Sequence, residues 1–245
     1  MARLTDRQDA YGHALYDYHQ GGGTYEIVER DDGYVDCSGG PAYYLSEFDK
    51  WPAHQRIALG FARGRVLDVG CGAGRVALHL QEQGHEVMGI DISPLAVRVC
   101  RERGVEDSRV LSITQVSRAL GAFDTIIMYG NNFGLFGSFR RARWLLRRFR
   151  GMTSDGARII AESRDPYATD ALWHVAYHRA NRRKGRMGGQ LRIRVRHKLH
   201  CTPWFDYLLA SQDEVRGILD GTGWAVARIF EGDEGSYAAV IEKTA

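Results

Sequence analysis

The chain has 245 residues, 44% hydrophobic and 26% charged, with a formal net charge of +3, the range of an ordinary globular protein. No apolar run reaches the roughly 18 residues that a membrane span needs, and the polar opening MARLTDRQDAYGHALYDYHQ lacks the apolar centre of a secretory signal. Cys37, Cys71, Cys100 and Cys201 lie far apart without a CxxC pair, which argues against a cysteine zinc site or disulfide framework and for a reducing cytoplasm.

Residues 1 to about 62 are rich in Tyr, Gly and Asp and precede any strongly apolar strand, so they read as an extension. Within it, ALYDYHQ (14–20) predicts a short helix and Gly21–Gly23 a break, because consecutive glycines are costly to order. YLSEFDKWPAHQRIALGFA (44–62) has apolar residues at near-helical spacing. From residue 65 the pattern becomes strand, turn, helix: RVLDVG (65–70) predicts a strand, GRVALHLQEQ (74–83) a helix and HEVMGID (85–91) a second strand. SPLAVRVCRERG (93–104) predicts a helix with Ser93 as its N-cap and Pro94 in the first helical position. VEDSRVLSIT (105–114), AFDTIIMYG (122–130) and ARIIAES (157–163) predict a third, fourth and fifth strand, with a helix at SFRRARWLLRRFRG (138–151). Such alternation with near-continuous apolar strands predicts a parallel sheet covered on both faces. WAVARIFEG (224–232) and SYAAVIEK (236–243), joined by a short turn, predict an antiparallel hairpin.

The chemistry concentrates at VLDVGCGAG (66–74), where Gly70, Gly72 and Gly74 are spaced G-x-G-x-G and Asp68 stands two residues before the first. A dinucleotide fingerprint would place its third glycine at Arg75. An acid ending the first strand also repels a pyrophosphate, by several kcal/mol on the order of Coulomb's law in a partly desolvated site. It suits a ligand bearing an ammonium and a sulfonium instead, and glycines let the backbone approach that ligand closely. Asp91 ends the second strand seventeen residues after Gly74, where a carboxylate can accept from two ribose hydroxyls. Together these features describe S-adenosylmethionine.

On VLDVGCGAG, VMGIDIS (87–93), AFDTIIMYGNN (122–132) and the terminal hairpin, the chain resembles the class I S-adenosylmethionine-dependent methyltransferases. The resemblance implies an α/β, Rossmann-like fold: a seven-stranded, mostly parallel sheet with helices on both faces and the last strand antiparallel. It further implies that Asp68, Gly70 and Gly72 lie along the methionine moiety, that Gly74 keeps turn and helix close, and that Asp91 binds the ribose, with Cys71 of the same loop also counted as cofactor-binding. Ile92 would flank the adenine, and Ser93 next to it is counted as cofactor-binding. The family's usual acid or amide after the third strand is replaced here by Ile113 or Thr114, leaving the Thr114 hydroxyl or main-chain groups for the adenine amino group. One domain over 1–245 is expected: an N-terminal helical lid or extension (1–55), a cofactor-binding core (56–163), an insertion after the fifth strand (164–212), and a C-terminal helix and hairpin (213–245).

The acceptor side is less defined. Tyr129 and Gly130, ending the fourth strand, should border the cofactor, and Asn131 and Asn132 either point polar groups at the acceptor or form a turn. Asp124 begins its strand and reads as structural, and Cys71 as a small packing residue. His19, His174 and His178 are candidate bases because imidazole titrates near neutrality, and Tyr16, Tyr18 and Trp204 are candidate acceptor contacts. The segment ALYDYHQGGGTYE either closes over the site as a lid or lies over a sheet face as a loose arm. His174 and His178 share a helix face, but no third ligand accompanies them, and no metal is expected.

Two segments are strongly basic. RRARWLLRRFR (140–150) is the pattern of an amphipathic helix with a solvated cationic face. Residues 178–200 hold nine Lys or Arg and no acid, and in LRIRVR (191–196) Leu191, Ile193 and Val195 alternate with Arg192, Arg194 and Arg196. That ribbon reads as a solvated edge strand, a seat for an anionic acceptor, or an RNA contact through 179–198. Methyl transfer to a small molecule is the leading expectation, since no separate RNA-binding domain is visible and the aromatic insertion suits an enclosed pocket. An RNA methyltransferase and a non-catalytic S-adenosylmethionine-binding protein are the alternatives. No membrane partner is expected, and neither the acceptor atom nor the oligomeric state can be read.

Overall fold

A computed structural model describes residues 4–23, 25–38 and 40–244. The outermost residues of the expected domain, and Thr24 of the expected lid, lie outside them. The elements are α1 (Ala10–His19), β1 (Glu26–Arg30), β2 (Val35–Ser38), α2 (Gly40–Tyr44), α3 (Ala53–Leu59), β3 (Val66–Val69), α4 (Arg75–Glu82), β4 (Val87–Asp91) and α5 (Pro94–Glu102). There follow β5 (Asp107–Val110), β6 (Phe123–Met128), α6 (Phe139–Arg150), β7 (Thr153–Arg164), α7 (Leu172–Arg183), β8 (Gln190–His197), β9 (His200–Cys201), β10 (Phe205–Leu208), α8 (Gln212–Leu219), β11 (Trp224–Glu231) and β12 (Ser236–Lys243).

Seven strands form one sheet in the order β11-β12-β7-β6-β3-β4-β5. The pairs β3/β4, β4/β5 and β6/β7 are parallel, and β12 runs antiparallel to both β7 and β11, as expected for this α/β class. β3 and β4 are buried at every position, which explains their continuous apolar character. The third strand is shorter than its predicted span: after Val110 the chain leaves the sheet for a 3-10 turn at Ile113–Gln115, capped by the Ser112 hydroxyl.

The chain packs as two compact units. The first comprises Met1–Trp51, Arg65–Val116 and Arg192–Phe205. In it α1 lies on α5, with Leu15, Ala73, Ala96 and Val99 forming a buried cluster that Tyr11, Tyr16, Tyr44 and Leu45 surround. Asp9 joins the two helices: one carboxylate oxygen accepts from Gly12 N (3.1 Å) as the N-cap of α1, and the other accepts from Leu95 N (3.0 Å). The contact is close enough that a Cβ at Gly12 would stand 2.3 Å from Ser93 Oγ. Ser93 itself caps α5 by accepting from Ala96 N (2.9 Å), as predicted.

A second sheet runs β10-β8-β1-β2, with β9 beside β8. The predicted apolar face of LRIRVR is present at buried Ile193 and Val195. The edge-strand reading of the ribbon is corrected, because β8 is flanked on both sides and the β1–β2 hairpin supplies a neighbour from the N-terminal extension, where no strand was expected. Glu29 stands opposite Arg194 in the β1/β8 register and accepts from Arg194 Nε (2.8 Å) and Arg196 Nε (2.5 Å), bonds that hold its carboxyl at about 2.

The second unit comprises Pro52–Gly64, Ser117–Leu191 and Asp206–Ala245. Ser138 caps α6, and Ala142, Leu145, Leu146 and Phe149 bury its apolar stripe. The cationic face of α6 is only partly solvated: Arg143 Nη1 donates to Asp220 O (2.5 Å) and Arg150 Nη1 to Gly223 O (2.9 Å) and Thr244 O (2.8 Å). Asp124 accepts from Ser154 Oγ (2.5 Å), the structural role expected of it. Among the described residues no helix is long and apolar enough to cross a membrane.

Candidate functional site

The turn between β3 and α4 is built on three left-handed glycines, Gly70 (φ 74°), Gly72 (φ 53°) and Gly74 (φ 79°), a conformation in which a Cβ would be strained. Gly70 N and Cys71 N both donate to Ile90 O (2.8 and 3.0 Å), which fastens the turn to the end of β4. A Cβ at Gly74 would lie 2.7 Å from both Cys100 Sγ and Val105 Cγ2, so this glycine admits close helix packing, as read from the sequence. Asp91 at the end of β4 accepts from Gly72 N (3.0 Å) with one oxygen and from Ser93 N (2.8 Å) with the other.

Asp68, at 2% exposure, is buried, and its Oδ2 has no hydrogen-bond partner among the described residues. Burial pushes its carboxyl up to about 7, with Arg75 opposing the rise and Asp91 adding to it. Burial likewise raises Asp91 to about 6, against the backbone bonds from Ser93 and Gly72 and with the charge of Asp9 adding to the rise. Two carboxylates that resist ionisation when alone form a place where a cationic ligand is welcome. The Cys71 thiol is held well above its usual range by its bond to Cys100 and by burial, which fits a packing residue and not a nucleophile.

Tyr11 was not read from the sequence as part of this cradle. A Cβ at Gly72 would lie 3.1 Å from the Tyr11 hydroxyl, which burial and the carboxylates Glu26 and Asp91 keep protonated. Its spacing four residues before Leu15, with Gly12 between, was the available signal. Ile92 and Thr114 are half-buried in the same unit, the Thr114 hydroxyl lying 3.0 Å from Ser112 Oγ. Tyr16 instead meets Arg98, whose guanidinium lies over its ring at 4.8 Å; His19 meets Glu102 at 3.3 Å; Trp204 carries Arg194 over its ring at 4.5 Å. Tyr18 is half-buried.

In the second unit, Gly130 and Asn131 form the left-handed turn that the Asn-Asn sequence allowed, at φ 72° and φ 60°. Glu162, 3% exposed near the end of β7, organises it. Its carboxylate accepts from Gly130 N (2.6 Å), Asn131 N (3.1 Å), His54 Nε2 (3.0 Å) and Gln55 Nε2 (2.7 Å). Burial would raise this carboxyl, but the bonds from His54, Gln55 and Asn131 outweigh it and hold it below its usual value. Tyr129 donates its hydroxyl to Gln55 O (2.8 Å), and Tyr207 donates to Asn131 O (2.6 Å). Asn131 Oδ1 is buried without a partner among the described residues, so it has acceptor capacity to offer a ligand. Asn132 opens the following 3-10 turn, and His174 is half-buried on α7 beside exposed Trp173. Glu162, His54, Gln55 and Tyr207 were missed by the sequence reading. The signal for the first was an acid inside the buried run ARIIAES.

Residues 66–156 match a family model described as a methyltransferase domain. Over 77 residues the chain is 38% identical to the 2-heptyl-1-hydroxyquinolin-4(1H)-one methyltransferase of Mycobacteroides abscessus, covering 29% of this chain and 34% of that protein. Over 74 residues it is 38% identical to the ubiquinone biosynthesis O-methyltransferase of Xanthomonas oryzae pv. oryzae, covering 28% and 31%. These matches span about a third of the curated relatives' own length. A crystal structure of an S-adenosylmethionine-dependent methyltransferase from Bacteroides fragilis, in complex with S-adenosyl-L-homocysteine, superposes with a TM-score of 0.85 at 26% identity, covering 100% of this chain and 98% of that one.

Proposed function

We propose that this chain, a member of the class I S-adenosylmethionine-dependent methyltransferases, transfers a methyl group to a small-molecule acceptor, residues 1–245 acting as one domain. The observation that carries the reading is the cradle itself: a buried carboxylate oxygen on Asp68 with no partner among the described residues, beside Asp91 and three left-handed glycines. These residues fit the cofactor. When bound, S-adenosylmethionine supplies an electrophilic methyl on a sulfonium. Asp68 would take the ammonium end, and Gly70, Cys71 and Gly72 would line the methionine chain with backbone. Asp91 would take the ribose hydroxyls, since a carboxylate has about four lone-pair directions and the backbone amides beside it leave capacity to accept more. Ile92 and Ser93 would border the adenine, with the Thr114 hydroxyl for its amino group.

On the acceptor side, Tyr129, Gly130, Asn131 and Asn132 form the candidate surface, with Asn131 Oδ1 available to a hydroxyl or N–H of the acceptor. Rate enhancement then rests on alignment of acceptor and methyl, and no protein nucleophile is required. A small-molecule acceptor fits better than RNA because cations on the strand part of the ribbon are paired with acids: Arg194 and Arg196 share Glu29, and Lys198 meets Asp17 at 2.6 Å. The same pairing weakens the case for a strongly anionic acceptor. Four free cysteines agree with a cytoplasmic setting.

The test is calorimetry followed by a labelled-methyl screen of metabolite pools and RNA. Binding of S-adenosylmethionine and S-adenosylhomocysteine at micromolar levels, with label entering a small molecule, is the expected result. Tight NAD binding with no sulfonium ligand would overturn it, and binding without transfer to any acceptor would leave a non-catalytic binding protein.

A further inference from the structure

We propose that Asp6, His13 and His200 form a binding site for a divalent transition-metal ion, Zn2+ being the best chemical match. Two come from neighbouring elements, Asp6 from the 3-10 turn Asp6–Gln8 and His13 from α1, and the third, His200, comes from distant β9. Their ligand atoms all lie within 4.8 Å of one another. His13 Nε2 is 3.0 Å from Asp6 Oδ1, and the His13 and His200 rings are stacked with centroids 3.5 Å apart and planes 16° from parallel. His200 Nδ1 is buried and has no hydrogen-bond partner among the described residues. A buried ring nitrogen in that state calls for an explanation, and a metal ion supplies one.

Two imidazole nitrogens and a carboxylate oxygen are a common zinc donor set, with water completing a tetrahedron. Zn–N and Zn–O bonds of about 2.0–2.1 Å place tetrahedral donors roughly 3.3 Å apart. The observed set therefore has to contract. Asp6 is 77% exposed at its side chain and free to swing, and the His200 ring has to turn out of the stack so that its in-plane lone pair meets that of His13. The backbones are already held in place by other bonds. Asp17, one helical turn beyond His13, accepts from His197 Nε2 (2.7 Å) and Lys198 Nζ (2.6 Å), and His197 pairs with His200 across the β8/β9 hairpin. The metal would cross-link the N-terminal helix to that hairpin, whether or not the chain transfers methyl groups.

The experiment titrates Zn2+ into the tag-free, metal-stripped full chain by calorimetry and repeats it with Co2+ followed by visible absorption. One ion per chain at micromolar affinity or tighter is expected, with a rise in melting temperature. His13→Gln and His200→Gln should each weaken binding at least tenfold, leaving S-adenosylhomocysteine affinity unchanged. Should either variant fail to fold, Asp6→Asn at an exposed position is expected to weaken binding several-fold. No Zn2+ binding by the parent chain overturns the site. So does undiminished binding in the variants, or a cobalt spectrum with strong thiolate charge transfer.

Discussion

Gly72 donates its backbone N–H to Oδ2 of Asp91 at 3.0 Å, which adds a side-chain tie between the turn after β3 and the end of β4 to the two backbone bonds at Ile90 O. Asp91 consequently has two duties, shaping the turn and offering oxygens to a ribose. Asp91→Ala should lower S-adenosylmethionine affinity at least tenfold, since bonds to a charged acceptor contribute about 1.5–3 kcal/mol each. It should also lower the melting temperature, because Gly72 N and Ser93 N lose their acceptor. Calorimetry and thermal melts read the two effects separately. Unchanged affinity in a folded variant would move the ribose elsewhere.

The raised carboxyls make a pH dependence. Asp68 at about 7 and Asp91 at about 6 both stand above their unfolded value of 3.8. Their contribution to the stability of the ligand-free chain is fully present below about pH 4 and is lost as pH climbs through 6 and 7. The melting temperature of the free chain should thus carry a downward component between about pH 4 and 7 that Asp68→Asn reduces. Affinity for S-adenosylmethionine should rise over the same interval as the carboxylates ionise. An affinity flat with pH would place both groups in their ordinary range.

Glu162→Gln replaces an accepting oxygen by an NH2 group that cannot accept from Gly130, Asn131, His54 or Gln55. One or two buried donors lose their partner, at about 1–3 kcal/mol each. Denaturant unfolding should register a loss of about 3 kcal/mol, and turnover should fall at least tenfold as the 129–132 turn relaxes. A variant as stable as the parent would show that water takes over these bonds.

Leu15 is fully buried against Ala73, Ala96 and Val99, so Leu15→Ala should cost about 2–4 kcal/mol. Deleting residues 1–23 removes Asp9, Tyr11 and Leu15 together, and cooperative melting of the first unit should be lost. A truncated chain that melts normally but no longer transfers methyl groups would instead support a lid that closes over the site.

What could be read in advance was whatever is encoded within a few residues. Asp68, the three glycines, the Ser93 cap and Asp91 lie in a single stretch of strand, turn and helix, and the terminal hairpin needs only its own turn. The β1–β2 hairpin was not legible, because its strands are short and half-exposed and gain a neighbour only when β8 arrives from the far end of the chain. The ribbon looked like a free cationic edge for the same reason: Glu29, which neutralises Arg194 and Arg196, is far away in sequence. Tyr11 and the His13–His200 stack likewise depend on tertiary approach, which periodicity does not encode.

Glu162 has a further consequence, for the order in which the chain folds. Its bonds to His54 and Gln55 span 108 and 107 residues, whereas those to Gly130 and Asn131 span 32 and 31. On a ribosome the 129–132 turn therefore emerges before the carboxylate that fixes it. Asn131 then has no partner to hold it left-handed until β7 is synthesised and docked. Loop closure over so long a span is entropically slow. The bonds of Glu162 to His54 and Gln55, which close the longest loops, are consequently the last of the four to form, and substitutions at Glu162 should show themselves in refolding yield before they show in the final structure.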